Sequence, residues 1–174
     1  NGHVADERGH LERLQRSLKE LRIAMPMSIS ALRIVMRELI RRNRILNGGI
    51  YIQISRGIAP RDFKFPKEIK SSLIMTLRPA DFDMTKRKSL LKKAISVPDI
   101  RWQRRDIKTT ALVAQVLARQ AALDLGAHDA WFVDDDGYIT EAAASNAWIV
   151  TNRGELLTRS TQNNVILKGV TRST

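Results

Sequence analysis

A chain of 174 residues with 43% apolar and 28% charged residues can bury one sizeable core or two small ones, which excludes a disordered segment. Its 30 lysines and arginines against 18 acidic residues leave a net charge of +12, and with no cysteine it excludes disulfide frameworks, thiolate metal sites and cysteine nucleophiles. His3, His10 and His128 lack metal-ligand spacing and no apolar run approaches the roughly 20 residues of a membrane span, so no metal site is expected and the composition reads as soluble and cytoplasmic.

In chain order, residues 6 to 23 carry Leu11, Leu14, Leu18 and Leu21 at helical spacing, with Asp6 as the expected N-cap and Pro26 as the terminator. Ser28 or Ser30 opens a second helix with Leu32, Val35, Met36, Leu39 and Ile40 on its apolar side, ending at Asn47-Gly48-Gly49. Residues 50 to 54 and 72 to 77 have strand composition, separated by a loop punctuated by Gly57, Pro60 and Pro66. The pattern resets near residues 78 to 81. A short strand follows at 94 to 97, then a helix from about Thr109 to Leu125 whose expected apolar face is Leu112, Val113, Val116, Leu117, Ala121 and Leu123. Short strands at 130 to 133, 138 to 140, 147 to 150 and 156 to 158 alternate with tight turns at Asp136-Gly137 and Asn152-Arg153-Gly154. The chain reads as α+β in two parts. It opens on Asn1-Gly2 without an initiator methionine and closes without a finishing helix, as expected of an internal segment of a longer protein lacking both ends.

Basic charge gathers in Lys86, Arg87, Lys88, Lys92, Lys93, Arg101, Arg104 and Arg105, against Asp83 and Asp99. Such a stripe can neutralise phosphates, which makes a basic nucleic-acid-binding module the reading from a different class. No aromatic ladder interleaves it, Trp102 standing alone, so nucleic acid is not the expected partner. The glycines form neither G-x-G-x-x-G nor the Walker pattern, although Leu167-Lys168-Gly169-Val170-Thr171 offers a turn with a hydroxyl.

Three stretches carry the chemistry: Asp99-Ile100-Arg101-Trp102-Gln103-Arg104-Arg105-Asp106-Ile107-Lys108, Thr140-Glu141-Ala142-Ala143-Ala144-Ser145-Asn146, and Leu167-Lys168-Gly169-Val170-Thr171-Arg172. In this order and spacing they resemble the fold-type IV (class IV) pyridoxal-phosphate-dependent aminotransferases, and within them the D-amino acid aminotransferases. Gly9-His10-Leu11-Glu12-Arg13-Leu14 is similar to that family's phosphate-arginine helix, and Ser55-Arg56-Gly57-Ile58-Ala59-Pro60-Arg61 to its substrate-carboxylate loop. The resemblance implies a small α/β N-terminal domain over 1 to 80, a linker at 81 to 84, and the first part of a larger, mostly β cofactor-binding domain over 85 to 174. It also implies a homodimer.

The same resemblance assigns roles. Lys108 forms the internal aldimine with pyridoxal 5'-phosphate and then shuttles a proton, which needs an amine that is neutral part of the time. Glu141 pairs with the pyridine nitrogen, keeping it protonated so that the ring acts as an electron sink. Arg13, the Val170 N–H and the Thr171 hydroxyl hold the phosphate, and Arg61 takes the substrate carboxylate. Without the resemblance, Lys108 is one more lysine of a basic chain, Glu141 a strand-end acid, and Arg13 and Arg61 solvated charges. Two positions depart from the family: Phe63 stands where the D-amino acid enzymes usually place a histidine, and Ala142-Ala143-Ala144 stand where glycine and serines are common. The implied reaction moves an amino group between an amino acid, foremost a D-amino acid, and a 2-oxo acid such as 2-oxoglutarate or pyruvate. Branched-chain aminotransferase and aminodeoxychorismate lyase chemistry stay open beside it.

Overall fold

The computed structural model describes residues 3–80 and 92–173. The chain separates into two compact units, Asn1–Lys88 and Ser89–Thr174. The linker expected at 81 to 84, and Lys86, Arg87 and Lys88 of the basic stripe, lie outside the described residues.

In the first unit, helix α1 (Glu7–Glu20) and helix α2 (Ile29–Asn43) precede two strands, β1 (Gly48–Ser55) and β2 (Ser72–Pro79). Asp6 stands at the N-cap of α1, but in a left-handed conformation (φ 50°), and its side chain makes no capping bond. The helix also stops at Glu20, short of Pro26, because the backbone turns left-handed at Arg22 (φ 52°). Carbonyls orphaned at that end are met by a side chain: the Arg56 guanidinium donates to the Leu21 and Arg22 oxygens. Ser28 opens α2, its Oγ accepting from the Ala31 N–H at 3.2 Å. Arg44, left-handed at φ 53°, closes α2, so Gly48 and Gly49 begin β1 instead of ending the helix. β1 and β2 pair antiparallel from Gly48 opposite Pro79 to Ser55 opposite Ser72. Leu11, Leu32 and Met36 form the core against Ile50, Ile52, Leu73 and Met75, the alternate positions of one sheet face.

In the second unit, β3 (Ala94–Pro98) pairs parallel with β4 (Asp129–Val133) across helix α3 (Val113–Asp124), and β5 (Ile139–Ala142) adds antiparallel to β4. Strands β6 (Ile149–Val150) and β7 (Leu156–Leu157) form a separate ribbon, followed by a 3-10 turn at Gln162–Asn164. The turn between β4 and β5 is held by Asp134, whose Oδ1 accepts from the Tyr138 N–H at 2.8 Å, with Gly137 left-handed at φ 82°.

The face expected to anchor α3 is not the one it buries. Ala118 and Ala122 pack on Ala127, Ala130 and Phe132, while Leu112, Val113, Val116, Leu117 and Leu123 are exposed. Ala118 and Ala122 sit four residues apart on one side, and their small size lets the helix lie close over the sheet. Hydrophobicity ranked the larger side chains first, whereas closeness of approach selected the smaller ones.

Candidate functional site

The second unit concentrates its buried charge at one end of the β3-β4-β5 sheet. Asp99, just past β3, extends the ladder by donating its N–H to the Val133 oxygen at 2.8 Å. Arg101 then folds back over it. Its Nε and Nη2 donate to the two Asp99 carboxylate oxygens at 2.8 and 2.7 Å, and Nη2 also reaches the Thr140 hydroxyl at 3.1 Å. That hydroxyl in turn donates to Asp99 Oδ2 at 2.7 Å. The Arg101 guanidinium lies 4.6 Å from the centroid of the Phe132 ring, and its Nη1 donates to Glu141 Oε2. Arg105 adds a second cation, its Nε 3.4 Å from Asp99 Oδ2.

Glu141, on β5, is 5% exposed. Its Oε1 accepts from Asn146 Nδ2 at 2.9 Å, and the Leu167 backbone N–H bonds the same carboxyl. Asn146 Nδ2 also donates to the Leu167 oxygen at 2.9 Å. A Cβ on Gly169 would stand 2.1 Å from Asn146 Oδ1, so only glycine lets the amide lie against that turn. The turn continues as Val170–Ser173, closed by the Ser173 N–H on the Val170 oxygen at 2.9 Å, with Val170 half-buried and Thr171 exposed.

The two carboxylates respond differently to this setting. Burial works against the Asp99 charge, but Arg101, the Thr140 hydroxyl and Arg105 outweigh it and hold that carboxyl below its usual range. Burial pushes the Glu141 carboxyl above its usual range despite the pull of Arg101, which Asp99 shares. Burial also opposes the Arg101 charge, yet the two carboxylates together raise its affinity for the proton. Glu141 is therefore an acid whose ionised form gains from one more positive group.

Lys108 follows two buried residues, Asp106 and Ile107, and is itself exposed. The Ile107 N–H donates to the Arg104 oxygen at 3.2 Å, so the segment before the lysine is a pinned turn and not a free loop.

Arg13 and Arg61 belong to the first unit. Arg13 is half-buried on α1, with Nη2 3.5 Å from His10 Nδ1; burial, then Arg16, lowers its pKa. Arg61 lies in the loop between β1 and β2, where a cleft of about 340 Å³ is lined by Arg56, Gly57, Arg61, Phe63 and Phe65. Its guanidinium sits 5.5 Å from the centroid of the Phe63 ring, which is itself 95% exposed. Asp62 is taken by Lys64 at 3.2 Å, and Arg61 has no ion-pair partner among the described residues. Gly57 shapes the loop. With φ 120° and a hypothetical Cβ 2.4 Å from the Lys70 oxygen, it admits no side chain.

Of the residues singled out by sequence, Glu141 and the turn bearing Val170 and Thr171 are brought together, with Asn146 between them. Asp99, Arg101, Thr140 and Asn146 fall within the stretches that carry the resemblance but receive no role from it, and Arg101 also reads as part of the basic stripe. The signal was the Asp-x-Arg spacing at a strand end, where a buried arginine needs acids close by.

The whole chain, residues 1–174, matches the family model described as amino-transferase class IV. It is 38% identical to a D-alanine aminotransferase of Staphylococcus haemolyticus over 165 residues, covering 94% of this chain and 57% of that protein. The chain thus spans less than two thirds of the length of the curated relatives it matches. Among solved structures, the branched-chain amino acid aminotransferase of Escherichia coli superposes with a TM-score of 0.80 at 23% identity, covering 96% of this chain and 56% of that one. The PLP form of the Thermobaculum terrenum branched-chain enzyme superposes with a TM-score of 0.76 at 20% identity, covering 96% of this chain and 55% of its own. At these identities the two structures speak for a shared fold.

Proposed function

Because the chain belongs to the class IV amino-transferases, we propose that the intact protein is a pyridoxal-phosphate-dependent aminotransferase, moving an amino group between an amino acid, foremost a D-amino acid, and a 2-oxo acid such as 2-oxoglutarate or pyruvate. The observation that carries this reading is the Glu141 carboxylate, buried at 5% exposure and tied to the Leu167 turn through Asn146. The name of the 38%-identical relative favours D-amino acids over branched-chain ones.

The residues present fit the cofactor. Burial raises the Glu141 carboxyl, and a protonated ring nitrogen is a cationic donor that favours its ionised form. In this reading Glu141 accepts that N–H, while Arg13, the Val170 N–H and the Thr171 hydroxyl hold the phosphate. When bound, the cofactor supplies an electron sink for negative charge developing on the substrate Cα. Lys108 would hold the cofactor through Nζ and, once released, would move the proton at the substrate carbon. Arg61 binds the substrate carboxylate, and Phe63 at the lip of the cleft offers an apolar wall where a second donor would otherwise stand. We place the protein in the cytoplasm as a homodimer, the second point on the strength of the resemblance.

The test is spectroscopic and chemical. Intact protein mixed with pyridoxal phosphate is expected to develop a band at about 410 nm that borohydride removes, and to consume a D-amino acid and 2-oxoglutarate one for one. Absence of the band overturns the cofactor assignment; pyruvate release without an acceptor overturns transamination in favour of a lyase. Arg61→Ala is expected to raise the substrate KM by about 10- to 100-fold with kcat much less changed, as for loss of a charge-assisted bond made equally before and during reaction. Steady-state kinetics check this, and an unchanged KM removes Arg61 from the substrate site.

A further inference from the structure

Asn146 occupies a position that its neighbours over-determine. Its Nδ2 has two protons and two acceptors, Glu141 Oε1 and the Leu167 carbonyl oxygen, each at 2.9 Å. Neither acceptor can donate while Glu141 is ionised, so the orientation of the amide is set by chemistry: nitrogen toward the carboxylate and the carbonyl, oxygen toward Gly169. The missing Cβ of Gly169 is what leaves space for that oxygen. Glu141 and Asn146 also form an isolated antiparallel bridge, so the amide comes from the strand end that turns back on β5.

We propose that Asn146 is a positioning residue for the centre: one amide group fixes the Glu141 carboxylate and fastens to it the Leu167–Thr171 turn, making the two a single rigid cradle. The assignment rests on the reading above, in which Glu141 meets the ring nitrogen and Val170 and Thr171 meet the phosphate. Two groups that grip opposite ends of one small molecule must keep a fixed separation, and an error of an ångström costs heavily in such a site. Arg101 holds the second carboxylate oxygen from the other side, so the acid is immobilised at both oxygens. Asp99, itself beside Arg105, completes the charges that face it, and the Leu167 N–H is its remaining donor.

A purely structural asparagine would lower stability and leave the acid's properties alone, which gives the test. The Glu141 side-chain carboxyl is followed by carbon-13 NMR titration in the protein without cofactor, and pyridoxal phosphate affinity is measured by absorbance titration of the same preparations. In Asn146→Ala the Glu141 midpoint is expected to rise by about one pH unit, through loss of a donor to the charged form, and the cofactor Kd to rise about tenfold. Gly169→Ala leaves the amide in the chain but pushes it off the turn, and is expected to move both quantities in the same direction. Asn146→Ser keeps one donor that is too short to bridge both acceptors; it serves where the alanine variant does not fold, and the same upward shifts are expected. An unmoved Glu141 midpoint in a folded Asn146 variant, beside normal wild-type cofactor binding, overturns the positioning role alone. A wild-type protein that does not bind pyridoxal phosphate overturns the cofactor reading and this role with it.

Discussion

Lys108→Ala should lower amino transfer by about 10²- to 10⁴-fold, the range typical of losing a placed proton carrier, and should abolish the borohydride-trappable band. The side chain is exposed, so the variant is expected to fold with stability within about 0.5 kcal/mol of the parent. Pinning is already provided by Ile107 and Asp106, both buried immediately before it. The separation of the two effects is what makes the substitution informative: chemistry lost, architecture kept. Denaturant titration alongside the spectrum and the rate measures both. Substantial activity in the variant would pass the proton-carrying role to another group.

Phe132→Ala should be the most damaging single change to the second unit, at about 3–5 kcal/mol, as expected for deleting a fully buried aromatic ring. The side chain is 0% exposed, packed against Ala118, Ala122, Ala127 and Ala130. The buried neighbours are alanines, with few atoms to close the hole, and the partly buried Ile95 and Val97 are the larger side chains that can move toward it. The ring is also the floor beneath Arg101, 4.6 Å from the guanidinium. Its removal loosens the arginine that holds Asp99 and Glu141, so cofactor affinity is expected to fall along with stability. Urea unfolding of the parent and variant decides it; a difference under about 1 kcal/mol would mean that the cluster is not the core of this unit.

Sequence reading recovered most of the elements because each is punctuated locally: a serine cap at Ser28, an Asp-Gly turn before β5, the alternation of apolar residues along β1. The sequence pattern carries α1 to residue 23 with Pro26 as the breaker, whereas the chain leaves the helix at Glu20 through a left-handed Arg22 that no propensity marks. It chose the wrong side of α3 because the sheet's demand for small residues is a tertiary fact. Within the site, Glu141 is visible only through a family pattern, whereas the Val170-Thr171 turn also shows by itself as a glycine-containing turn with a hydroxyl. The network joining them was not visible, since Arg101 pairs with Glu141 across 40 residues of sequence. The Asp-x-Arg spacing is the local sign that Arg101 is buried; its second acid, Glu141, is brought to it by β5.

The close seating of α3 on its sheet bears on how freely this unit can drift under mutation. Alanine is commonly the residue to which others are changed without harm, and its own positions are counted among the replaceable ones. Here Ala122, on the helix, and Ala130, on the sheet, are each 0% exposed and share one buried cluster with the Phe132 ring. Enlarging Ala122 or Ala130 is therefore expected to destabilise this unit by overpacking, against the usual harmlessness of an alanine site.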